Sequence, residues 1–228
     1  MALMAKSTPD ESGWRGAMGQ RDQLLVIKIQ SYGPAAIPGL LKLLEAPRRH
    51  VRERAGYALF KIKGLTAADL PALEKATLAG VGWAPGAIKN IDTPESIQFL
   101  IGRLRADPGS ATNMVGSALV HLAPDSIPNL LGEFCHVANC PGNYWGASQV
   151  FTLMNTKAGP AVEPLGEIAA DSTRPVDVRL AALSALVQLG PIAAPAEAEV
   201  KKVSQDQGAD PSLRKRAIEA LQEIHAKR

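Results

Sequence analysis

The stretch Ile37-Pro38-Gly39-Leu40-Leu41 carries the strongest indication of fold, because its combination of an apolar residue, a proline and a leucine-rich segment returns along the chain. It returns as Leu70-Pro71-Ala72-Leu73 and as Ile127-Pro128-Asn129-Leu130-Leu131. Looser copies are Ile97-Gln98-Phe99-Leu100, Val162-Glu163-Pro164-Leu165 and Ala194-Pro195. The copies begin 33, 27, 30, 35 and 32 residues apart. A period in this range is typical of rods built from stacked helical hairpins.

Each period predicts two helices, and the first, helix A, begins at the segments above. Pro38, Pro71 and Pro128 fall near its start, where a missing backbone N–H costs little. Spacings of three and four residues predict one buried side of this helix. Its predicted core residues are Leu40, Leu41, Leu43 and Leu44 in the first repeat and Ile97, Leu100, Ile101 and Leu104 in the third.

The second helix of each period, helix B, has its own recurring pattern of small and large apolar residues. Its predicted core residues are Val51, Ala55, Ala58, Leu59 and Ile62 in the first repeat, Val178, Ala182, Ala185, Leu186 and Leu189 in the fifth, and Leu213, Ala217, Ala220, Leu221 and Ile224 in the sixth. Small alanines let helices approach closely. Gly33, Gly64, Gly159 and Gly190 follow helices B, and we expect each to end its helix in a left-handed conformation.

Three segments carry a resemblance to a known family. They are Gly-Pro-Ala-Ala-Ile-Pro at 33–38, Asp-Pro-Ser-Leu-Arg at 210–214, and the Val-Arg pairs at 51–52 and 178–179. They resemble the HEAT-repeat family, in particular the bacterial HEAT-like repeats shared with the phycobilin lyases. The resemblance covers about residues 21–226 and implies an all-α fold, an α-α superhelix of five to six helical-hairpin repeats. We expect a repeat domain over 21–228 and a polar, mobile tail over 1–20. The second repeat, with a short helix B (83–91), and the fourth, with a long inter-helix loop (137–144), depart from the pattern.

Composition restricts the class of protein. Of the 228 residues, 46% are hydrophobic, enough for a core, and the formal net charge of +3 is too small to indicate nucleic-acid binding by itself. No uninterrupted apolar stretch reaches 18 residues, so we expect no membrane span. Residues 1–20 lack the apolar segment of a signal peptide, which favours a cytoplasmic protein. Removal of a signal before Met1 would instead place it in the periplasm or outside the cell, and this alternative stays open. We expect a monomer.

Residues that could ligate a metal are few. None of the four histidines, His50, His121, His136 and His225, is followed by glutamate, whereas HEAT-like di-iron hydroxylases carry repeated His-Glu pairs. Cys135, His136 and Cys140 would supply three ligands to zinc, which usually takes four. A local disulfide or two unpaired thiols both fit the cysteine spacing, and the thiols are favoured. We therefore expect no metal and no cofactor.

Motifs for catalysis are also missing. In HEAT-like DNA glycosylases an aspartate falls one helical turn after a tryptophan, but here Ala87 follows Trp83 and Gln149 follows Trp145 at that spacing. The sequence contains no glycine-rich phosphate loop between a strand and a helix, and no nucleophile elbow. We expect the protein to have no catalytic residues.

Basic residues form two clusters, which we interpret chiefly as solvated helix starts with local partners such as Glu53 and Asp210. The clusters are Arg48, Arg49, His50, Arg52 and Arg54 in the first repeat, and Arg214, Lys215 and Arg216 in the sixth. They fall at opposite ends of the predicted rod, and the middle repeats lack them. Nucleic-acid contact through phosphates is therefore an alternative that the sequence does not favour.

Large side chains on the exposed side of helices B form the candidate binding surface. They are Tyr57, Phe60, Trp83, Asn113, Met114, Ser117, Tyr144 and Trp145. The resemblance implies that this side is the concave surface of the rod, and clustered aromatics are common binding hot spots. The tryptophans also fit gaps left by irregular repeats. We interpret the chain as a scaffold that binds a protein partner there. A bilin-lyase-like protein that holds a flat chromophore on the aromatics is the enzymatic alternative.

Overall fold

The computed structural model describes residues 27–107, 109, 113–134 and 143–226. Within these residues every regular element is helical and no strand occurs, so the predicted all-α class is confirmed. The tail over 1–20, the long loop at 137–144 for all but its last two residues, and the group Cys135, His136 and Cys140 lie outside the described residues. Of the predicted first helix, 21–32, residues 27–32 are described: 27–30 are helical, and 31–32 form a turn instead.

The helices follow one another with short connections. Their bounds are α1 Ile37–Leu43, α2 Arg49–Lys61, α3 Leu70–Leu78, α4 Ala84–Ile88, α5 Pro94–Ala106, α6 Met114–His121, α7 Ile127–Leu131, α8 Tyr144–Met154, α9 Gly159–Ala170, α10 Val176–Leu189, α11 Glu197–Gln205 and α12 Pro211–Ile224. Short 3-10 segments precede several of them, at Gly33–Ala36, Ala67–Asp69, Asn155–Ala158 and Gly190–Ala196. Helix α4 falls where the sequence predicted a short helix B over 83–91, and with five residues it is shorter still.

The chain divides into two compact units, and the boundary lies within α5 between Ser96 and Ile97. In the first unit α1 packs on α2, α3 packs on α4, and α2 packs on α4. Consecutive helices therefore form pairs, and the second members of successive pairs also pack on each other.

The second unit shows the same arrangement over more helices. The pairs are α7 with α8, α9 with α10, and α11 with α12. Helices α6, α8, α10 and α12 form one series in which each packs on the next, and α7, α9 and α11 form another. Each helix in this unit therefore packs mainly on its nearest and next-nearest neighbours in the chain.

The prolines mark helix starts where the sequence placed them, at Pro38 in α1, Pro71 in α3 and Pro128 in α7. Three other predicted starts were wrong by three residues. Helix α5 begins at Pro94 instead of Ile97, because Thr93 and Ser96 exchange hydrogen bonds between side chain and backbone N–H, which satisfies the first turn.

The other two displaced starts are also caused by local backbone chemistry. Helix α9 begins at Gly159 instead of Val162, since Pro160 already supplies the proline of its first turn, and Pro164 lies inside the helix. Helix α11 begins at Glu197 instead of Ala194, because the chain from Gly190 to Ala196 forms 3-10 turns that contain Pro191 and Pro195.

The buried core agrees closely with the apolar pattern. Every predicted core residue of helix A in the third repeat and of helix B in the first and fifth repeats is buried. Leu41, Leu43 and Leu221 are only half-buried, so their assignment to the core was wrong. Ile37 and Leu40 of α1, with Leu44 directly after it, are buried and carry its packing.

Turns after helices B use glycine in three of the four predicted places. Gly33, Gly64 and Gly190 have positive φ values of 57°, 96° and 57°. The prediction for Gly159 was wrong: its φ is −43°, and Asn155 takes the positive φ, 53°, directly after α8. Asp92 does the same after α4 with a φ of 51°. Asn and Asp tolerate this conformation better than other residues with a side chain.

One segment, Val176–Gln205, is long and apolar enough by length and composition to cross a membrane, with a mean hydropathy of 1.4 over its best window. More than half of that window (56%) is buried inside the protein, as in the core helix of a packed array. The segment comprises α10, the 3-10 turns from Gly190 to Ala196, and α11, and it is weak evidence for a membrane span.

Candidate functional site

The predicted binding residues fall into two groups, one in each unit. Tyr57, Phe60 and Trp83 belong to the first unit, and we call them the ring cluster. Asn113, Met114, Ser117, Tyr144 and Trp145 belong to the second unit, on helices α6 and α8 or at their starts. Each group is described below within its own unit.

Helix α2 builds the ring cluster by turning one side toward the start of α4. The Glu53 carboxylate accepts hydrogen bonds from the backbone N–H of Gly82, at 3.1 and 3.3 Å. One turn later Gly56 lets the chain approach closely, since a Cβ there would lie 2.9 Å from Val81 Cγ1 and 3.3 Å from Trp83 Cβ. The helical spacing then brings Tyr57 and Phe60 to the same side.

The three rings contact one another. The Tyr57 and Trp83 centroids are 4.8 Å apart in an edge-to-face arrangement, and those of Phe60 and Trp83 are 5.6 Å apart. Tyr57 and Phe60 are 6.2 Å apart. All three side chains are half-buried. The rings therefore stabilise the contact between α2 and the start of α4 and still present part of their surface to solvent.

Two lysines lie over this ring cluster. Lys61 Nζ is 4.9 Å from the Phe60 centroid and 5.5 Å from that of Tyr57. Lys89 Nζ is 5.1 Å from the Phe60 centroid. Burial, and then the charge of Lys61, lower the pKa of Lys89 below its ordinary value. Ammonium groups at such distances are attracted by the ring faces.

In the second unit, the predicted binding residues at helix α6 differ in their contacts and exposure. The Asn113 side chain accepts a hydrogen bond from the Val115 N–H at 2.8 Å and so caps the start of α6. Met114 is half-buried and Ser117 is exposed. Asn113 therefore has a structural role, while Ser117 remains available on the surface of the helix.

The start of helix α8 is held by Asn143, which sequence reasoning did not identify. Its side chain accepts from the Gly146 N–H at 2.9 Å and donates to the Leu104 carbonyl at 2.6 Å. Its backbone N–H donates to Glu133, a fully buried carboxylate that also pairs with Arg105 at 2.5 Å. This network sets the direction in which the next two residues, both aromatic, leave the turn.

Tyr144 and Trp145 follow that turn, with ring centroids 6.2 Å apart. The Tyr144 hydroxyl donates a hydrogen bond to the Asp177 carboxylate at the start of α10, and this bond raises the pKa of Tyr144. Tyr144 thereby links two helices. Trp145 has no such tie and is 45% exposed, which makes it the most accessible aromatic of the predicted set.

Trp145 lies at one end of a groove between α8 and α10 with a volume of about 390 Å³, which we call the Trp145 groove. Its lining side chains carry no formal charge. They are Trp145, Ser148, Gln149, Thr152, Leu153, Ser184 and Gln188. Leu153 is 51% exposed, so the groove presents a leucine side chain as well as the indole to solvent.

The hydroxyls and the amides that line the Trp145 groove differ in their hydrogen bonding. The hydroxyls of Ser148, Thr152 and Ser184 donate to the carbonyls of Ala181, Ser148 and Leu180. The amides of Gln149 and Gln188 are exposed on the surface of the two helices. The groove therefore offers an apolar surface from Trp145 and Leu153 beside amides that can both donate and accept hydrogen bonds.

The basic residues of the two predicted clusters are used largely within the fold. Arg52 donates to the carbonyls of Ala46 and Pro47. Arg214 donates to the carbonyls of Gln207 and Ala209 at 2.9 Å. Arg54 is 2% exposed and His50 is 8% exposed, so the interpretation of these two as solvated was wrong. Exposed cations such as Arg49 and Lys215 remain at the helix starts.

The same use of arginine recurs in the fifth repeat, where Arg179 Nε donates to the Ala169 carbonyl at 2.8 Å. Arg52, Arg179 and Arg214 each occupy the second place of a Val-Arg or Leu-Arg pair in the first turn of a helix B. Arg179 thus binds a carbonyl in the last turn of α9, which a helix leaves without a partner, whereas Arg52 and Arg214 bind carbonyls of the turns after α1 and α11. The pair that carried the family resemblance has a structural reason.

Metal ligands are not grouped in the part of the chain that the structure describes: no set of three or more His, Cys, Asp or Glu side chains converges there.

The sequence did contain one indication of the lysines over the ring cluster, since Tyr57 and Lys61 are four residues apart on one helix. The position of Lys89 follows only from the packing of α4 on α2, and the exposure of Leu153 only from that of α10 on α8.

Comparison with known proteins gives little. No family model matches the chain, and no curated protein matches it. Among solved structures it is similar to two engineered proteins of the Northeast Structural Genomics Consortium, targets OR329 and OR497. The first is 17% identical, with 82% of this chain and 96% of that chain covered, and the second is 18% identical, with 97% and 66% covered. Both TM-scores are 0.36, too low to support an argument about fold or function.

Proposed function

We propose that the chain is an α-α superhelix of HEAT-like repeats. The support is the packing within each unit, where consecutive helices pair and the second helices of neighbouring pairs pack on each other. A solenoid has this pattern because each repeat buries its apolar surface only against the repeats beside it. The arginines that bind the carbonyls at the ends of helices A fit the same plan, since they recur at matched places in three repeats.

We propose further that the protein is a cytoplasmic, monomeric scaffold that binds a protein partner along the exposed side of its helices B and performs no catalysis. The observation that carries this proposal is the exposure of Trp145 (45%) and Leu153 (51%) at one groove. Large apolar side chains beside a preformed concavity are the usual anchors of protein interfaces.

The partner suited to this groove is a protein segment that places an apolar side chain beside Trp145 and its backbone against Gln149 and Gln188. The lining carries no charge that would select a charged ligand. Exposed glutamine amides can pair with backbone N–H and C=O groups alike. A rigid helical support lowers the cost of ordering on binding.

The test compares purified Trp145→Ala and Leu153→Ala proteins with the wild type as baits in extracts of the source cells. A partner that uses the groove is recovered by the wild type and lost by both variants. The recovered protein is then purified, and its affinity is measured directly, where we expect about a tenfold or larger loss for Trp145→Ala, as for an interface hot spot.

The matched control is Leu78→Ala, which removes an even more exposed leucine (65%, against 51% for Leu153) from the first unit. It should leave the affinity unchanged, and circular dichroism should show the same helix content for all variants. Equal affinity of the Trp145→Ala protein and the wild type for the purified partner would refute the groove as the binding site.

A further inference from the structure

Lys61 and Lys89 both lie over the ring of Phe60. Their Nζ atoms are 4.9 and 5.1 Å from the Phe60 centroid, so the two ammonium groups are at most 10.0 Å apart. Among the residues that the structure describes, neither lysine makes an ion pair, although Lys75 of the same unit pairs with Glu45 at 2.5 Å. Two like charges thus converge on one apolar surface.

The two like charges repel each other, and no ion pair among the described residues offsets this repulsion. Burial lowers the pKa of Lys89, and the neighbouring charge of Lys61 lowers it further. The surroundings are also basic, since residues 27–96 contain ten Lys and Arg against six Asp and Glu, a net charge of +4. An anion placed between the two ammonium groups would relieve their repulsion and gain two charge-assisted hydrogen bonds.

The ring cluster next to the lysines indicates which class of anionic partner suits this site. Tyr57, Phe60 and Trp83 pack against one another and are half-buried, which leaves part of each ring for contact with an apolar side chain. Nucleic-acid surfaces instead combine a long track of cations with free aromatic faces on which bases stack. In this unit Arg52 is engaged with carbonyls and Arg54 is buried, so neither of these arginines extends the two lysines into such a track.

We propose that Lys61 and Lys89, with Phe60 beneath both of them and Trp83 packed against Phe60, form a binding site for an acidic segment of a protein. A glutamate or aspartate carboxylate binds between the two ammonium groups, and a neighbouring apolar side chain of the same segment rests on the exposed parts of the rings. This inference rests on the proposed protein-binding role, but it concerns a second contact surface, in the first unit.

The test uses a blocked octapeptide of alternating glutamate and leucine, with the glutamine–leucine octapeptide of the same length as its neutral counterpart. Binding to the full chain is followed by NMR, through the indole N–H signal of Trp83, which is assigned with Trp83→Phe. We expect the acidic peptide to bind, the neutral peptide to bind more weakly, and added salt to weaken the acidic peptide. The double variant Lys61→Gln/Lys89→Gln should lose affinity about tenfold, because both charged contacts are removed.

The control is Lys42→Gln/Arg48→Gln, which removes two exposed cations from the same unit and the same amount of charge. It should bind the acidic peptide like the wild type. Equal weakening in both double variants would mean attraction to overall charge and would overturn the proposal, as would unchanged binding in Lys61→Gln/Lys89→Gln. Tighter binding of an oligothymidylate than of the peptide, lost with the two lysines, would replace it with a nucleic-acid site.

The two proposals fail separately. Trp145→Ala lies in the second unit and should not change the binding of the acidic peptide. If the lysine variants bind the peptide normally while Trp145→Ala loses the natural partner, only the acidic-segment site is wrong. If the lysine variants lose the peptide while Trp145→Ala keeps the partner, only the groove is wrong.

Discussion

Gly56 shows how a single residue allows the ring cluster to form. It lies in the interior of α2, where glycine normally costs about 1 kcal/mol relative to alanine. A Cβ at this place would come within 2.9 Å of Val81 Cγ1 and 3.3 Å of Trp83 Cβ. The missing side chain therefore lets Trp83 lie close enough to α2 to contact Tyr57 and Phe60. The packing that glycine permits outweighs its poor helix propensity.

Substitution of Gly56 by alanine should destabilise the protein by about 1–3 kcal/mol, because the added methyl forces Val81 or Trp83 to move. The control is Gly102→Ala in α5, where nothing lies within 4 Å of the added Cβ and the helix should gain about 0.5–1 kcal/mol. Urea unfolding monitored by circular dichroism measures both changes. Shifts of the same sign in the two variants would contradict this account.

At the scale of the helical element, the recurrent arginine of helix B acts as a cap for the helix A before it. Arg52, Arg179 and Arg214 bind carbonyls at or beyond the ends of three different helices A. A guanidinium suits this use because it carries several donors in a fixed plane and stays charged. At Arg179, whose acceptor lies in the last turn of α9, the charge also faces the negative end of the helix dipole.

Replacement of Arg179 by methionine tests the cap where it is most buried, at 6% exposure. The Ala169 carbonyl would lose its partner, and we expect a loss of about 1–3 kcal/mol in the free energy of unfolding. Arg49→Met, on an 81% exposed side chain 4.0 Å from Glu53, should cost less than about 0.5 kcal/mol. If the two substitutions lowered the free energy of unfolding equally, the buried hydrogen bond of Arg179 would contribute no more than an exposed arginine does.

The presence of the helices was largely predictable from the sequence, but the residues at which they begin and end were not. Apolar spacing and the prolines at 38, 71 and 128 identified the elements correctly, because burial on one side of a helix imposes a period on the sequence. The start of α5 was missed since it depends on two hydroxyls, of Thr93 and Ser96, that exchange hydrogen bonds with the backbone. Such polar contacts leave no apolar period behind.

Prediction of the candidate site was limited in a similar way. The exposed Trp145 was identified because a large aromatic lay off the predicted core. Lys89 could not be identified, because it meets Phe60 only through the packing of two helices that are far apart in sequence. Asn143 was missed because its three hydrogen bonds involve Leu104, Glu133 and Gly146, two of which belong to other helices or turns.

At the scale of the whole molecule, the proposed superhelix predicts how far a local loss of stability extends along the chain. In a one-dimensional array each repeat contacts only its neighbours, so damage at one end should remain local. A globule with a single shared core would instead lose protection throughout. The two cases differ in which backbone amides begin to exchange, a quantity measured residue by residue.

Leu213→Ala, at a fully buried position of α12, should cost about 2–5 kcal/mol and provides the test. Native-state hydrogen exchange should show protection factors that fall in α11 and α12 while those of α1–α4 keep their wild-type values. Leu40→Ala, fully buried in α1, should give the mirror result. A uniform fall of protection in both variants would contradict a linear array.

The two turns in which Asp92 and Asn155 adopt positive φ have a consequence for recognising relatives of this chain. A sequence profile of the repeat that requires glycine after every second helix would fail to match at Asp92 and Asn155. It would therefore divide the proposed array into several short, separate matches. A profile that accepts aspartate and asparagine at the same column, for the steric reason that both tolerate the conformation, would join these matches into one continuous series.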